Sequence, residues 1–497
     1  MTVQRNSYRQ IMKATSLFGG VQFFQILISV VRSKFVAILL GPTGMGIVGL
    51  LTSATALVGG LTNLGLGTSA VKNISEARTT GNEDRISNVI FVLRRLVWMT
   101  GLLGVLVTLF FSSWLSEVTF GNRDYTLAFV WISVTLLFNQ LSSGELVLLQ
   151  GMRRLQQLAK ANFYGSLIGL FISIPLYYRF GVQGIVPVII VTSFITLFFS
   201  RYFSRKIKTK KVEVPKSVIL KEGKNMMVMG IMISLSGLIT IIATYILRIF
   251  INHTGDVADV GQYSAGFTII NTYVGMIFTA MGTDYYPRLA AIASDNVKCK
   301  ESINQQAEIA LLILAPILIF FLVFINYAVI LLYSTQFLAI KGMVYWASLG
   351  IFFKAVSWSI AFVFLAKGDG PLFFWNELIG SAYSLAFNIV GYYLGGLNGL
   401  GISFLVSYMV YFIQVFAIVK VKYNFSFYKE GITIFLIQFL LALLSFSVVN
   451  LIEYPYAYVP GIILIGASSW YSFRELEKRI GLKDMVQVFI RKQNKNN

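Results

Sequence analysis

Apolar residues run through this chain in blocks of roughly 20, the length of helix that crosses ~30 Å of hydrocarbon, with short polar interruptions between them. The blocks are continuous and do not alternate, so they predict helices and not the strands of a barrel. Fourteen spans are expected, at 16–40, 45–70, 88–113, 126–149, 161–180, 182–202, 226–250, 262–285, 306–326, 343–366, 372–394, 398–419, 431–450 and 456–473. Ahead of the first, Arg5, Arg9 and Lys13 precede an apolar run without a small-residue cleavage site, the pattern of a retained first span.

Composition agrees with that pattern, and charge adds orientation. Of the 497 residues 56% are hydrophobic and 12% charged, and the mean hydropathy is +0.72, outside the balance of a water-soluble globule. Lys and Arg number 41 against 21 Asp and Glu, a formal charge of +20. With the N-terminus inside, 34 of the 41 fall in cytoplasmic segments and three, Arg123, Arg179 and Lys341, in outer loops. Four more, Arg32, Lys34, Arg248 and Lys354, lie inside apolar runs. Short cytoplasmic loops collect Lys and Arg, so both termini are placed inside, and the basic excess is read as topology and not as nucleic-acid binding. One cysteine, Cys299, and one histidine, His253, exclude an internal disulfide and His-based metal or triad chemistry. No metal and no cofactor is expected, no GxxxxGK[ST] loop suggests direct use of ATP, and the chain reads as a transporter, not an enzyme.

Shifting the chain against itself by 215 residues aligns Tyr177, Tyr178, Gly181 and Gly184 with Tyr392, Tyr393, Gly396 and Gly399. The same offset places Gly165 and Ser166 on Gly380 and Ser381, and Gly46, Gly60, Gly67 and Thr68 on Gly261, Gly275, Gly282 and Thr283. A constant offset at separated places indicates duplication. Six spans per copy is an even number, so both copies enter the membrane from the same side as parallel repeats. The organisation expected is an N-lobe at 1–215, a C-lobe at 216–430, a basic inter-lobe linker at 201–225, and an appendix at 431–497 that holds spans 13 and 14 and a basic cytoplasmic tail. By this reading the apolar stretch 328–340 stays outside the membrane, because its counterpart at 113–125 is an outer loop.

Polar residues inside the spans fall on single helix faces. Gln22, Gln25, Ser29 and Arg32 do so in span 1, with Lys34 pointing elsewhere, and Ser234, Gly237, Thr240, Thr244 and Arg248 do so in span 7. Asn162, Ser166, Gly169 and Ser173 in span 5 match Glu377, Ser381, Ser384 and Asn388 in span 11. Asn63 in span 2 and Asn271 in span 8 add amides, and Lys354 sits near the middle of span 10. Small polar residues also serve close helix packing. Intramembrane cations mark substrate pathways when they do not snorkel. Arg32, Lys34, Arg248, Lys354, Gln22, Gln25, Asn63, Asn271 and Asn388 are therefore the candidate substrate-binding residues, and Glu145, Asp284 and Glu377 the candidates for ion coupling.

The segment SKFVAILLGPTGMGIVGLLTSATALVGGLTNLGLGTSAVKNISE, Ser33 to Glu76, together with LLYSTQF, Leu331 to Phe337, resembles the polysaccharide-transport branch of the multidrug/oligosaccharidyl-lipid/polysaccharide (MOP) exporter superfamily, the Wzx-type O-antigen flippases. The resemblance extends over most of residues 10–425. It implies an all-α polytopic protein, two six-helix lobes in a V-shaped transporter with two further C-terminal helices. It also implies that undecaprenyl-diphosphate-linked oligosaccharide is moved across the bacterial cytoplasmic (inner) membrane by alternating access. The family's cationic cavity residues are matched by Arg32, Lys34, Arg248 and Lys354 by location. Lipid-linked oligosaccharide and membrane lipid are the partners expected, a complex with a polysaccharide polymerase stays open, and the oligomeric state is unread. A cation-coupled multidrug exporter and a lipid II-type flippase share the architecture, and a glycan polymerase or ligase would need a larger outer loop than any drawn here.

Overall fold

The computed structural model describes residues 2–207 and 216–480, with side chains for 24–207 and 222–479 apart from positions 225, 229, 232, 233, 236, 273, 283 and 284. Among the described residues every regular element is helical. Helix α1 (Thr2–Thr62) leads to α2 (Leu66–Thr79), α3 (Glu83–Phe110), α4 (Ser112–Phe120), α5 (Thr126–Gly151), α6 (Leu155–Phe180) and α7 (Ile185–Ser204). Then come α8 (Lys216–Thr254), α9 (Val257–Thr268), α10 (Gly275–Ala291), α11 (Asn296–Leu332), α12 (Lys341–Ala366), α13 (Gly370–Tyr423), α14 (Lys429–Leu451) and α15 (Tyr458–Ile480). Among the described residues ten helical segments are long and apolar enough to cross a membrane, so the chain is a multi-pass membrane protein.

Glycine and proline set where the long helices break, and three of the ten segments each hold two expected spans. Within α1, Gly41 takes φ 66°, and Pro42 after it has no N–H to continue the ladder. A short 3₁₀ turn, Gly181–Gly184, separates α6 from α7, and Gly395 and Gly396 interrupt α13. A fourth break falls inside the expected second span, where Leu64 and Gly65 both have positive φ and α2 begins anew. The expected outer stretch 328–340 is the end of α11, a short link and a 3₁₀ turn, Thr335–Ile340. Helix α15 is not among the ten segments, because polar Ser468, Ser469 and Ser472 and a charged last turn dilute its apolar part.

The motifs 215 residues apart fold alike. Gly181 (φ 53°, ψ −132°) and Gly396 (φ 55°, ψ −136°), 215 residues apart, have the same backbone conformation, one that residues with a Cβ avoid. Tyr177 and Tyr392 are both buried, and Tyr178 and Tyr393 both exposed.

Two compact units partition the chain. The first holds 1–264 with 332–336, the second 265–331 with 337–497. Helices α8 and most of α9 therefore belong with the first unit, although the sequence offset starts the second copy at 216. In the first unit α1 and α9 meet backbone to backbone. A Cβ on Gly46 would lie 1.8 Å from the Val257 carbonyl, and one on Gly261 would lie 1.9 Å from the Pro42 carbonyl. These contacts are reciprocal under the 215-residue offset, the arrangement that two copies related by a two-fold axis make. The LGPTGMG and LLYSTQF segments also meet there. Gln262 donates to the Gln336 carbonyl at 2.7 Å, and the Gln336 side chain lies 2.9 Å from the place of a Cβ on Gly41.

In the second unit α14 and α15 are built into the packing. Gln438 and Ser468 exchange hydrogen bonds between the two, Arg479 pairs with the buried Glu308 of α11 at 2.8 Å, and Phe435 and Phe439 meet Phe352 and Phe353 of α12 edge to face.

Candidate functional site

Arg32 and Arg248 are two of the cations inside the apolar helices of the first unit. Each is half-buried and is held by one hydrogen bond to a main-chain carbonyl of a neighbouring helix. Arg32 donates through Nη2 to Ser166 on α6 at 3.2 Å, and Arg248 through Nη1 to Gly49 on α1 at 2.9 Å. Gly169 makes room for the first, because a Cβ there would sit 3.2 Å from the guanidinium. Each arginine lies within electrostatic reach of a tyrosine, Tyr177 for Arg32 and Tyr263 for Arg248. Among the described residues neither has a carboxylate partner. A guanidinium has five N–H donors, and in both residues Nε is buried with no acceptor. Buried donors are ordinarily satisfied and an intramembrane cation is expensive, so two such unmet groups have the chemistry to accept an anion with several oxygens.

The same unit contains a pocket of about 460 Å³ in which Asn139, Ser142, Ser143 and Gln150 of α5, Asn162 of α6 and Thr196 of α7 stand beside apolar Leu146, Val147 and Leu158. The Ser142 hydroxyl is buried without a partner. Asn162 stands one turn before Ser166, about 6 Å along α6, so the pocket and the Arg32 guanidinium lie along one polar helix face. An anion seat next to a hydroxyl-lined pocket can hold a phosphate with sugars attached.

The second unit treats its cation differently. Lys354 on α12 donates to the Asn271 side chain at 2.8 Å, and its ammonium lies 5.2 Å from the ring centre of Tyr408, 5.7 Å from Phe278 and 5.8 Å from Phe404. Asn271 sits on a π-helical turn, Ile269–Val274, a local irregularity found often at functional sites. Its Nδ2 is buried with no acceptor. Further along, Glu377 accepts from Tyr411 at 2.5 Å and from Asn376 at 3.4 Å, and Gln414 donates to Asn376 at 2.8 Å. Asn388 accepts from Ser403 at 2.6 Å.

Other expected residues take local roles. Asn63 accepts from the Gly65 N–H at 2.6 Å and closes the break before α2. Lys34, two positions beyond Arg32, points to another side of α1 and is half-buried. Gln25 is half-buried on the Arg32 face. Glu145 pairs with Arg94 at 3.2 Å and accepts from Ser204 at 2.6 Å. The side chains of Gln22 and Asp284 lie outside the described residues. Sequence reasoning missed the rings around Lys354 and the α5 wall of the pocket. A signal for part of this was present, since Tyr408, Tyr411 and Gln414 recur every three residues inside an apolar helix.

The family model described as polysaccharide biosynthesis protein matches residues 35–342. A search of curated proteins finds no match to this sequence. Among solved structures, the chain is similar to an inward-facing multidrug resistance MATE family transporter of the MOP superfamily, with TM-score 0.68 and 17% identity over 80% of this chain and 94% of that one. It is similar to the lipid II flippase MurJ in an inward closed conformation, with TM-score 0.65 and 12% identity over 94% and 99%. A MOP superfamily transporter from Pyrococcus furiosus, described as having a binding pocket of reverse polarity, gives TM-score 0.59 and 16% identity over 83% and 96%. At these identities the likeness establishes the fold, that of the MOP transporters.

Proposed function

The chain belongs to the polysaccharide biosynthesis protein family, and on that premise we propose that it is a flippase for a polyprenyl-diphosphate-linked oligosaccharide, moving it across the bacterial cytoplasmic membrane by alternating access. The observation that carries this reading is that one unit holds two arginines with unmet donors, and that Ser166, which holds Arg32, stands one helical turn from a pocket with hydroxyls and amides in its wall. The diphosphate meets guanidinium groups, the sugars meet Asn, Ser, Gln and Thr, and the polyprenyl tail stays in lipid. In this reading the 215-residue offset records a duplication into two six-span lobes, the full count is fourteen spans with both termini inside, and Lys354 is a further cation on the path.

Reconstitution tests it. Purified protein in vesicles should translocate a fluorescent short-chain polyprenyl-diphosphate oligosaccharide, scored by access of the sugar to an impermeant hydrolase, and should do nothing for a cationic dye. Dye transport without oligosaccharide transport would assign the chain to the multidrug exporters of the same fold.

A further inference from the structure

A second cationic site lies in the first unit, at the end that carries the basic residues of α3 and α7, away from Arg32 and Arg248. Arg94 of α3 and Arg201 and Arg205 at the end of α7 surround a cavity of about 120 Å³, with Trp98, Leu141 and Leu197 as its apolar wall and Glu145 inside it. Glu145 is buried and held by Arg94 and by Ser204, so one of the three guanidinium charges is neutralised and its position fixed, while Arg201 and Arg205 remain exposed. The volume is well below the ~300–1,000 Å³ of pockets that enclose small molecules. It fits a phosphate group and not an oligosaccharide.

What continues from the cavity decides the source of that phosphate. Trp98 is 45% exposed, and the α3 and α7 faces beside it present Leu102, Phe194, Phe198 and Tyr202, all large, apolar and exposed. In a membrane protein such a face meets acyl chains, and tryptophan with arginine at its edge is the composition of the headgroup level. Basic pockets between transmembrane helices on the cytoplasmic side take anionic headgroups. From the cavity, its charge and the apolar face below it, we infer that Arg94, Arg201 and Arg205 form a binding site for the headgroup phosphate of an anionic phospholipid, whose chains lie along α3 and α7. The site is independent of the substrate reading, since it shares no residue with the Arg32 pocket.

Native mass spectrometry of the full chain tests this. Protein released from vesicles of phosphatidylcholine with phosphatidylglycerol should retain phosphatidylglycerol, and the double variant Arg201→Ala, Arg205→Ala should retain about 25-fold less at matched lipid, about fivefold for each cation. Retention should return in the double lysine variant. Displacement of the lipid by millimolar inorganic phosphate, or equal retention of phosphatidylcholine, would overturn the assignment. A measurement that leaves all three arginines in place guards against misfolding of the arginine variants. Brominated phosphatidylglycerol should quench fluorescence that the Trp98→Phe protein lacks, and do so more strongly than brominated phosphatidylcholine at the same mole fraction. Equal quenching by the two lipids would likewise refute a headgroup site.

Discussion

Arg32 and Arg248 in the first unit each give one N–H to a main-chain carbonyl and keep a buried Nε without an acceptor, whereas Lys354 in the second gives its ammonium to Asn271 and lies against three aromatic rings. Each ring contributes about 0.5–1 kcal/mol or more when desolvated, and a hydrogen bond to a charged group about 1.5–3 kcal/mol. The lysine is thus largely compensated by the protein. The arginines are positioned but not compensated. Carboxylates of the second unit follow the lysine, Glu308 on Arg479 and Glu377 on Tyr411. A cation that the fold has already satisfied stabilises the fold, and one that it has only positioned is free to gain from a ligand.

The sharpest way to break this contrast is to remove both arginines. A bidentate guanidinium-phosphate contact in a partly dry site contributes about 1.5–3 kcal/mol, so Arg32→Ala or Arg248→Ala should each lower transport per molecule roughly ten- to hundredfold. The double variant should fall beyond hundredfold, about the sum of the two losses. Lysine variants should be intermediate, because charge survives without the fork. Arg123→Ala should be silent, since Arg123 is an exposed residue paired with Glu117. Vesicle translocation normalised to protein content measures this, and wild-type transport by a well-folded double variant would show that neither arginine acts on the substrate.

Lys354→Met, nearly isosteric, asks the converse question. Here the expected loss in transport is about tenfold or less, accompanied by a fall in thermal stability, because Asn271 loses its partner and the rings their cation. A loss as large as that of Arg248→Ala, at unchanged stability, would invert the comparison and make the caged ammonium the principal anion seat.

Continuous apolar runs were sufficient for the helices, and the breaks at Gly41, Gly181 and Gly396 fall between expected spans at residues that suit them, since glycine takes positive φ without strain and proline lacks an N–H. The break at Leu64 was not foretold, because a leucine in left-handed conformation is held by its surroundings. There a Cβ on Gly230 of α8 would lie 2.3 Å from the Leu64 carbonyl, so the two backbones are in close contact. Spacing placed Arg32 and Arg248 on polar faces. The partner of each charge was hidden, since Arg94 and Glu145, or Lys354 and Tyr408, meet only through tertiary packing. Aromatic residues in apolar helices look the same whether they face lipid or a cation.

The hydroxyl-lined pocket is expected to matter less than the arginines, because sugar contacts are many and individually weak. Ser142→Ala should weaken substrate binding about two- to fivefold and Asn162→Ala about five- to tenfold, with the maximal rate little changed, as neutral hydrogen bonds of about 0.5–1.5 kcal/mol imply. Titration of translocation against substrate concentration separates the two effects. A change confined to the maximal rate would place the pocket outside the binding path.

At the smallest end stands Arg479, whose charge is satisfied in full. Its guanidinium pairs with Glu308 and Glu475 in a half-buried arrangement at the end of α15. Removing one partner of a buried pair costs about 3–5 kcal/mol, and partial solvent access brings that to about 2–3 kcal/mol for Arg479→Ala. The variant should unfold at lower temperature in detergent, and Glu308→Gln in the same chain should recover part of the loss by removing the stranded carboxylate. Transport per folded molecule should change by less than about twofold, since no unmet donor is lost at the candidate site. Should Arg479→Ala instead retain full stability and lose transport, a satisfied cation would be acting on substrate, and the distinction drawn between the two units would not hold.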